Sequence, residues 1–457
     1  MARPRRVALV YQDVRMMQDE GWSPFTYGVH RVYAAALVCA PHVEVRLFRA
    51  EHDEAPEALV ARLEAFDPDL VGASVFLWSF AFFASVAAGL KRARPDRTVV
   101  FGGPSAHPAM FALAPFREAA AAVDGLCTRE GEAVMVDVLT LPGLTPQALR
   151  GVTGLTTRDA LGFHPGAQRT SREPLDTLPS PFRLGEFPEG ATAHLETFRG
   201  CPLSCAFCEW GVAGDASRVA SREWLTEELA TFRARGLRGA FLVDAGLNLS
   251  SRAFRHLAAA ERDVGFFRDA PFGCEIYPEL VKDEHLEFLS SVRVRHLGVG
   301  LQSASPAVLQ KMQRPFHPAR FGDGVRALSG VTEATIEIIL GLPFDDLDSF
   351  RRTIDLATSF GPRVNLLAYH CLVLPDGLMT RSPAGAAIEF DPHTLQMQSC
   401  TGWSARDLER GRALLDELAA RTGGRAGDTF WQIQTHAPSA GAVDGPRDAP
   451  VELESAR

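Results

Sequence analysis

Short apolar runs alternate with amphipathic stretches along most of this chain. RRVALVYQD (residues 5–13) has the length and composition of a buried strand, and GVHRVYAAALVCA the period of a helix. VEVRLFRAE and EALVARLEAF repeat the pair, as do DLVGASVFLW and FAFFASVAAGLKRAR. TVVFGG reads as a fourth strand, and AVDGLCTREGE as a fifth strand with its exit loop. Strand-length apolar runs between helical periods predict a parallel, doubly wound sheet, whose ligands bind where strands end at the carboxyl edge. Ser74 stands near the end of the third strand, and Gly102, Gly103 and Pro104 end the fourth. Paired glycines there either let a ligand approach the backbone or make a tight turn.

Residues 146–190 are rich in Gly, Pro, Ser and Thr with weak alternation, which predicts a small hairpin and a linker. Alternation resumes at HLETFRG and continues through about six strand–helix units to VNLLAYHCLVLP. That number predicts an open or partial parallel barrel with its site at the carboxyl ends of the strands. Asp244, Glu275, Gln302, Ser303, Gly341 and Pro343 all stand at such exits. No internal repeat is evident. The expected fold class is α/β: an N-terminal doubly wound, Rossmann-like domain (1–145), a linker with a small hairpin (146–190), a partial (β/α)6 barrel (191–380), a C-terminal helical cap (381–435) and a disordered tail (436–457).

Composition narrows the function classes. An apolar share of 46% and a charged share of 23% over 457 residues are ordinary for a globular protein with a large core. A formal net charge of -9 argues against general binding to nucleic acid or anionic membranes. The apolar run VALVY is too short for a signal segment, and no stretch has membrane-spanning length. The expected location is the cytoplasm, where clustered cysteines indicate metal binding or catalysis rather than disulfides.

Three of the eight cysteines fall in RGCPLSCAFCEWG, as Cys201, Cys205 and Cys208. Structural zinc takes four protein ligands, and no fourth cysteine or histidine follows at a matching interval. Three soft thiolates on a loop at a barrel mouth favour a [4Fe–4S] cluster with one iron open to a small ligand. Zinc with a remote fourth ligand and accidental spacing are the alternatives. Phe207 and Trp210 flank the third thiolate, placed to shield a cluster or stack on a base.

The spacing C-x3-C-x2-C resembles the signature of the radical S-adenosylmethionine (SAM) enzymes, and the resemblance runs from about residue 191 to 400 through VGLQS (299–303), ILGLP (339–343) and LPDG (374–377). The first unit resembles the cobalamin-binding domain that precedes the barrel in one large subfamily, through DPDLVGASVFLW, VVFGGP and CTREGE. The resemblance implies a [4Fe–4S] cluster, SAM and cobalamin, carried as methylcobalamin. It also implies a small-molecule substrate, an external electron donor of the flavodoxin or ferredoxin kind, and no nucleic-acid or membrane partner. C-methylation of an unactivated or sp2 carbon is the commonest outcome, with a tryptophan 2-C-methyltransferase branch that does not cleave SAM to a radical. A non-methylating rearrangement or cyclisation, and a cobalamin carrier without catalysis, are the alternatives.

One segment departs from the pattern. Many cobalamin domains carry D-x-H-x-x-G after the first strand, where the histidine ligates cobalt. Here the stretch is QDVRMMQDEG, with Arg15 in the histidine's place, and His30 lies in the next helix. The resemblance therefore implies cobalt with no histidine on its lower face, which is left to water or to a non-coordinating side chain, with Arg15, Leu77 and Trp78 as the candidates. Glu275 and Gln302 are candidates for the amino group or ribose of SAM, and Gly341 for a cofactor contact. Cys39 and Cys127 are expected to be buried thiols, Cys274 structural, and Cys371 a core residue near the barrel mouth. Cys400 is a weak candidate for the pocket wall. Tyr277 and Tyr369 are candidates for substrate binding or proton transfer.

Overall fold

A computed structural model of the chain describes residues 5–14, 25–170, 173–212 and 218–435. Arg15 and the tail 436–457 lie outside the described residues. The first sheet contains β1 (Arg6–Tyr11), β2 (Glu44–Arg49), β3 (Leu70–Ser74), β4 (Thr98–Gly102), β5 (Gly125–Cys127), β6 (Thr156–Asp159) and β7 (Gly162–His164). The strand order is β2-β1-β3-β4-β5-β6-β7. The first five strands run parallel, and the β6–β7 hairpin adds antiparallel at the edge. The hairpin expected within 146–190 is therefore part of the first sheet, which is mixed rather than wholly parallel.

Both faces of this sheet are covered, which is why its strands read as continuous apolar runs. Helices α1 (Tyr27–Cys39), α2 (Pro56–Phe66), α3 (Phe80–Ala93), α4 (Pro108–Ala112) and α5 (Gly131–Thr140) follow in chain order. Val7 and Leu9 face one core, with Val29 of α1 and Val134 and Val138 of α5. Ala8 and Val10 face the other, with Leu59 and Leu63 of α2 and Phe83 and Leu90 of α3. The sequence reading placed only an exit loop after β5. The apolar positions 134, 135, 138 and 139 in fact form the buried stripe of α5.

The second sheet begins with β8 (Ala193–Leu195), followed by a short antiparallel ribbon of β9 (Phe198–Arg199) and β10 (Arg218–Val219). β11 (Ala240–Leu242), β12 (Phe272–Glu275), β13 (Val294–Gln302), β14 (Ala334–Leu340) and β15 (Val364–His370) continue in parallel from β8. The hairpin β16 (Glu389–Phe390) and β17 (Met397–Ser399) stands apart from both large sheets. β18 (Arg425–Ala426) and β19 (Phe430–Ile433) complete the second sheet, and β19 pairs antiparallel with β15. The segment 381–435, expected to be a helical cap, thus holds one long helix (Ala405–Thr422) and two hairpins. Burial of Trp431 and Ile433 on alternate positions ties β19 to the barrel.

Strand alternation sorts the barrel residues. Leu297, Val299 and Leu301 of β13, with Ile336 and Ile338 of β14, pack under the outer helices against Phe288, Val325 and Phe350. The opposite face of the same strands carries Gly298, Gly300, Gln302 and Glu337, so the interior is polar and roomy at the carboxyl end.

A buried charge network joins the two units. Arg199, just ahead of the cysteine loop, donates to Glu132 at 2.9 and 3.2 Å, to Glu130 at 3.0 Å and to Glu196 at 2.7 Å. Arg31 of α1 adds ion pairs to Glu132 at 3.6 Å and Glu196 at 3.8 Å. Arg218 donates to Glu130 at 2.5 and 2.6 Å. Burial alone would raise the Glu132 carboxyl, but Arg199 and Arg31 outweigh it and hold the group at about 2. A depressed carboxyl stabilises the fold above its unfolded value of 4.5, and that contribution is lost as pH falls through about 2. Glu132→Gln should flatten the acid side of the wild-type stability curve, removing on the order of 3 kcal/mol of pH-dependent stability. Denaturant titrations from pH 6 to pH 2 check this, and parallel curves for the two proteins would refute it.

Candidate active site between the two sheets

The ribbon β9–β10 brings the chain out of β8 and into the cysteine loop, where Gly200 takes φ +107°. Cys205 is buried, Cys201 and Cys208 are half-buried, and none of the three is in a disulfide. Backbone contacts pin the loop. The Ala206 N–H donates to the Met312 carbonyl at 2.9 Å, and Cys208 N–H to the Cys205 carbonyl at 3.2 Å. Asp244, a strand-exit residue in the sequence reading, anchors the loop instead of facing the cavity. It accepts from the Thr197 N–H at 2.8 Å and from the Thr197 hydroxyl, while burial pushes its carboxyl up to about 8. Ser303 is likewise internal, donating to Asp345 at 2.9 Å.

One cavity of about 1900 Å³ joins the carboxyl edges of the two sheets. Its wall includes Ser74, Trp78, Gly102, Gly103 and Pro104 from the first unit, and Phe207, Cys208 and Gln302 from the second. Glu275, Leu77 and Gly341 are not in that wall. Leu77 packs on the α2–α3 core. Gly341 has φ +91°, and an added Cβ would lie 2.9 Å from Leu408, so this glycine serves a turn and helix packing.

The cavity also runs as a slot between the first sheet and the α1–α5 layer, reaching Leu9, Gly72, Val134 and Val138. Ser74 pairs with Gly102 across β3 and β4. The two adjacent glycines have different jobs. A Cβ on Gly102 would meet nothing closer than Cys127 at 3.9 Å, so it would enter open space. A Cβ on Gly103 would lie 2.7 Å from the Val75 carbonyl, on a backbone at φ +99°. Gly103 is there for the turn, and Gly102 for room.

Inside the barrel, Glu275 and Glu337 face each other with His296, their ligand atoms all within 4.8 Å. His296 Nε2 lies 3.3 Å from Glu275. An added Cβ on Gly298 would overlap the Glu275 carboxylate, and one on Gly300 would lie 2.5 Å from the Gln302 amide, so these glycines make room for both side chains. Burial and the neighbouring Glu275 push Glu337 well above the usual carboxylate range, and burial then Glu337 raise Tyr369. Glu337 and Tyr369 line the cavity, and Tyr277 lies under the Arg314 guanidinium at 4.8 Å, outside the wall. The sequence reading passed over Glu337. Its signal was a lone acid on the inward alternation of TIEIILGLP.

Trp78 is 48% exposed and stacks on Phe76 at 4.6 Å. His30 is buried against Phe25 and Tyr11, with Nδ1 2.9 Å from the Glu186 carbonyl, and it is not in the cavity wall. Cys39, expected to be buried, is exposed near the end of α1, while Cys127, Cys274, Cys371 and Cys400 are buried. Cys371 and Cys127 reach the cavity wall, but Cys400 points its sulfur at the Gly341 carbonyl at 3.6 Å.

Residues 195–357 match the family model of the radical SAM superfamily, and residues 17–139 that of the B12 binding domain. The 2-(S-pantetheinyl)-carbapenam-3-carboxylate methyltransferase of Streptantibioticus cattleyicolor is 30% identical over 335 residues, 68% of this chain and 48% of that protein. The cobalamin-dependent radical SAM methyltransferase TokK of Streptomyces tokunonensis is 27% identical over 386 residues, 77% of this chain and 54% of that protein. The chain thus spans about half the length of these curated relatives. Among solved structures, the radical SAM methyltransferase TsrM of Kitasatospora setae, with cobalamin and a [4Fe–4S] cluster bound, superposes with TM-score 0.63 at 15% identity, covering 86% of this chain and 84% of that one. The cobalamin-dependent SAM radical enzyme OxsB superposes with TM-score 0.67 at 15% identity, covering 92% and 67%. These likenesses show the α/β fold with its two domains. Among the described residues, no helix is long and apolar enough to cross a membrane.

The glycine pair separates room from turn geometry. Gly103→Ala should cost about 1–3 kcal/mol of stability whether or not a ligand is bound. Gly102→Leu should keep the melting temperature of the ligand-free protein but abolish retention of cobalamin. Calorimetry with cobalt analysis checks both, and normal cobalamin content in Gly102→Leu would show that cobalamin does not use the space at Gly102.

Proposed function

This chain belongs to the radical SAM enzymes that carry a B12-binding domain, and from that premise we propose that it is a cobalamin-dependent C-methyltransferase acting on a small molecule. One observation carries the reading: Cys208 of the three-cysteine loop and the Ser74–Gly102 slot line the same cavity. The methyltransferase names of the curated relatives support it over a rearrangement. We place the protein in the cytoplasm, with electrons from a flavodoxin- or ferredoxin-like donor.

The residues fit the three groups. Cys201, Cys205 and Cys208 would hold a [4Fe–4S] cluster from one pinned loop, with one iron open to SAM. The open space at Gly102 and the apolar slot behind it suit the buried nucleotide tail of cobalamin. When bound, the cluster and SAM supply one-electron chemistry and cobalamin supplies a transferable methyl. The chain's task is to orient these groups and the substrate and to exclude water. Glu275 and Glu337 form an acidic pair in the barrel near Gln302, and together they would hold the polar groups of SAM. Tyr369 closes the pocket from β15. Its raised phenol keeps its proton at neutral pH and remains a hydrogen-bond donor.

Trp78, which lines the cavity and stacks on Phe76, is the residue we assign to face bound cobalamin where a histidine ligand would otherwise stand. An indole donates one N–H and has no lone pair to coordinate a metal. With no coordinating side chain there, bound cobalamin would reach its reduced form more readily and would supply methyl-transfer chemistry.

The reading is tested with anaerobically reconstituted protein, cobalamin, methyl-labelled SAM, a reductant and extract of the source organism. The expected product carries one labelled methyl, and Cys201→Ala, Cys205→Ala and Cys208→Ala each lose the cluster and the product. Retention of iron, sulfide and turnover in any of the three sinks the assignment. Electron paramagnetic resonance of the cob(II)alamin form should show cobalt lines without threefold nitrogen splitting. Splitting that disappears in His30→Ala would make His30 the ligand and exclude Trp78.

A further inference from the structure

The segment Pro375–Arg381 leaves the last parallel strand and returns over the cysteine loop. Gly377 approaches so closely that a Cβ there would lie 3.1 Å from the Phe207 carbonyl. The Asp376 N–H points at Glu209 at 3.4 Å, and the Asp376 carboxylate faces His107 of the first unit at 3.7 Å. At the end of this segment, the Arg381 guanidinium collects four carbonyl oxygens. Nε donates to Asp376 at 2.7 Å, and Nη1 to Ser204 at 3.2 Å. Nη2 donates to Cys205 at 2.9 Å and also to Cys208. Two of the three cysteines are therefore held, by their own backbones, on one side chain. Among the described residues, the hydrogen bonds of Arg381 reach Cys205 and Cys208 but not Cys201.

We propose that Arg381 is a positioning residue for the cysteine loop, holding Cys205 and Cys208 by their carbonyl oxygens and raising the reduction potential of the cluster those residues bind. The inference rests on reading the loop as a [4Fe–4S] site. The physical case has two parts. A guanidinium offers five N–H donors in a rigid planar fork, so it alone can span several carbonyls; an ammonium is a point donor on a flexible stem. Its charge cannot be lost at working pH, and a fixed positive charge beside a cluster favours the state that has gained an electron.

Two variants separate geometry from charge. Arg381→Lys keeps the charge and loses the fork; Arg381→Gln loses both. The first readout uses cluster-free protein: maleimide labelling of each cysteine, followed by mass spectrometry, with Cys201 as internal reference. Both variants should label Cys208 roughly tenfold faster relative to Cys201 than the wild type does, because charge-assisted hydrogen bonds to its loop are gone. An unchanged ratio overturns the positioning role. This readout needs no cluster, so it stands even if the loop binds another metal. The second readout is a redox titration of reconstituted protein followed by electron paramagnetic resonance. Arg381→Gln should shift the potential negative by a tenfold change in the reduction equilibrium, about 59 mV for one electron, while Arg381→Lys stays near wild type. A wild-type potential in Arg381→Gln overturns the electrostatic role. If Arg381→Gln fails to fold, judged by circular dichroism and cobalamin binding, the labelling ratio of Arg381→Lys decides the positioning role and its potential the electrostatic one, where a shift as large as that expected for glutamine overturns the charge argument.

Discussion

Everything in the site depends on one guanidinium in the domain boundary. Arg199 sits two residues before Cys201 and contacts Glu130 and Glu132 of the first unit and Glu196 of the barrel. Buried ions of one sign cannot be left unpaired without a large desolvation penalty, so the two sheets are committed to face each other at this point. The result is that a strand leaving the barrel, a loop leaving the first sheet and the cysteines all meet at one cavity. Arg31 reinforces the same contact from α1, and Arg218 does so from the far side of the ribbon.

Within that frame, space is made by glycines at few positions and for different reasons. Gly298 and Gly300 leave the barrel interior open to Glu275 and Gln302, and Gly102 leaves the slot open on the first sheet. Gly103, Gly341 and Gly377 answer instead to backbone geometry or close packing. A cavity able to take several large groups is thus built from parallel strands whose outer faces stay tightly packed. The polarity of its two ends differs. The slot behind Gly102 is apolar, and the barrel end carries two acids, where burial and the neighbouring Glu275 push the Glu337 carboxyl well above its ordinary range.

The cysteine loop is constrained from three directions. Asp244 holds its entry through Thr197, the Met312 carbonyl holds Ala206, and the segment after β15 covers it with Gly377 and Arg381. These supports come from positions 244, 312 and 376–381. Mechanical definition of the loop is therefore a property of the assembled barrel, not of the loop itself.

The strand–helix order, the two units and the three cysteines were legible in the sequence because each depends on local periodicity or on a spacing of a few residues. Ser74, Gly102, Gly103, Pro104, Phe207 and Gln302 were legible as strand-exit or loop residues for the same reason, and all six reach the cavity. Glu337 had a signal in its alternation, but nothing local distinguished an inward acid from an exposed one. What could not be read were pairings between distant segments. The β6–β7 hairpin joins the first sheet, β19 closes on β15, and Arg381 reaches the carbonyls of Cys205 and Cys208 across more than 170 residues. Local pattern determines which face of an element is apolar and which residue ends a strand. Only the assembled tertiary structure decides which ends meet, because that choice is made by burial and charge pairing between elements far apart in the chain.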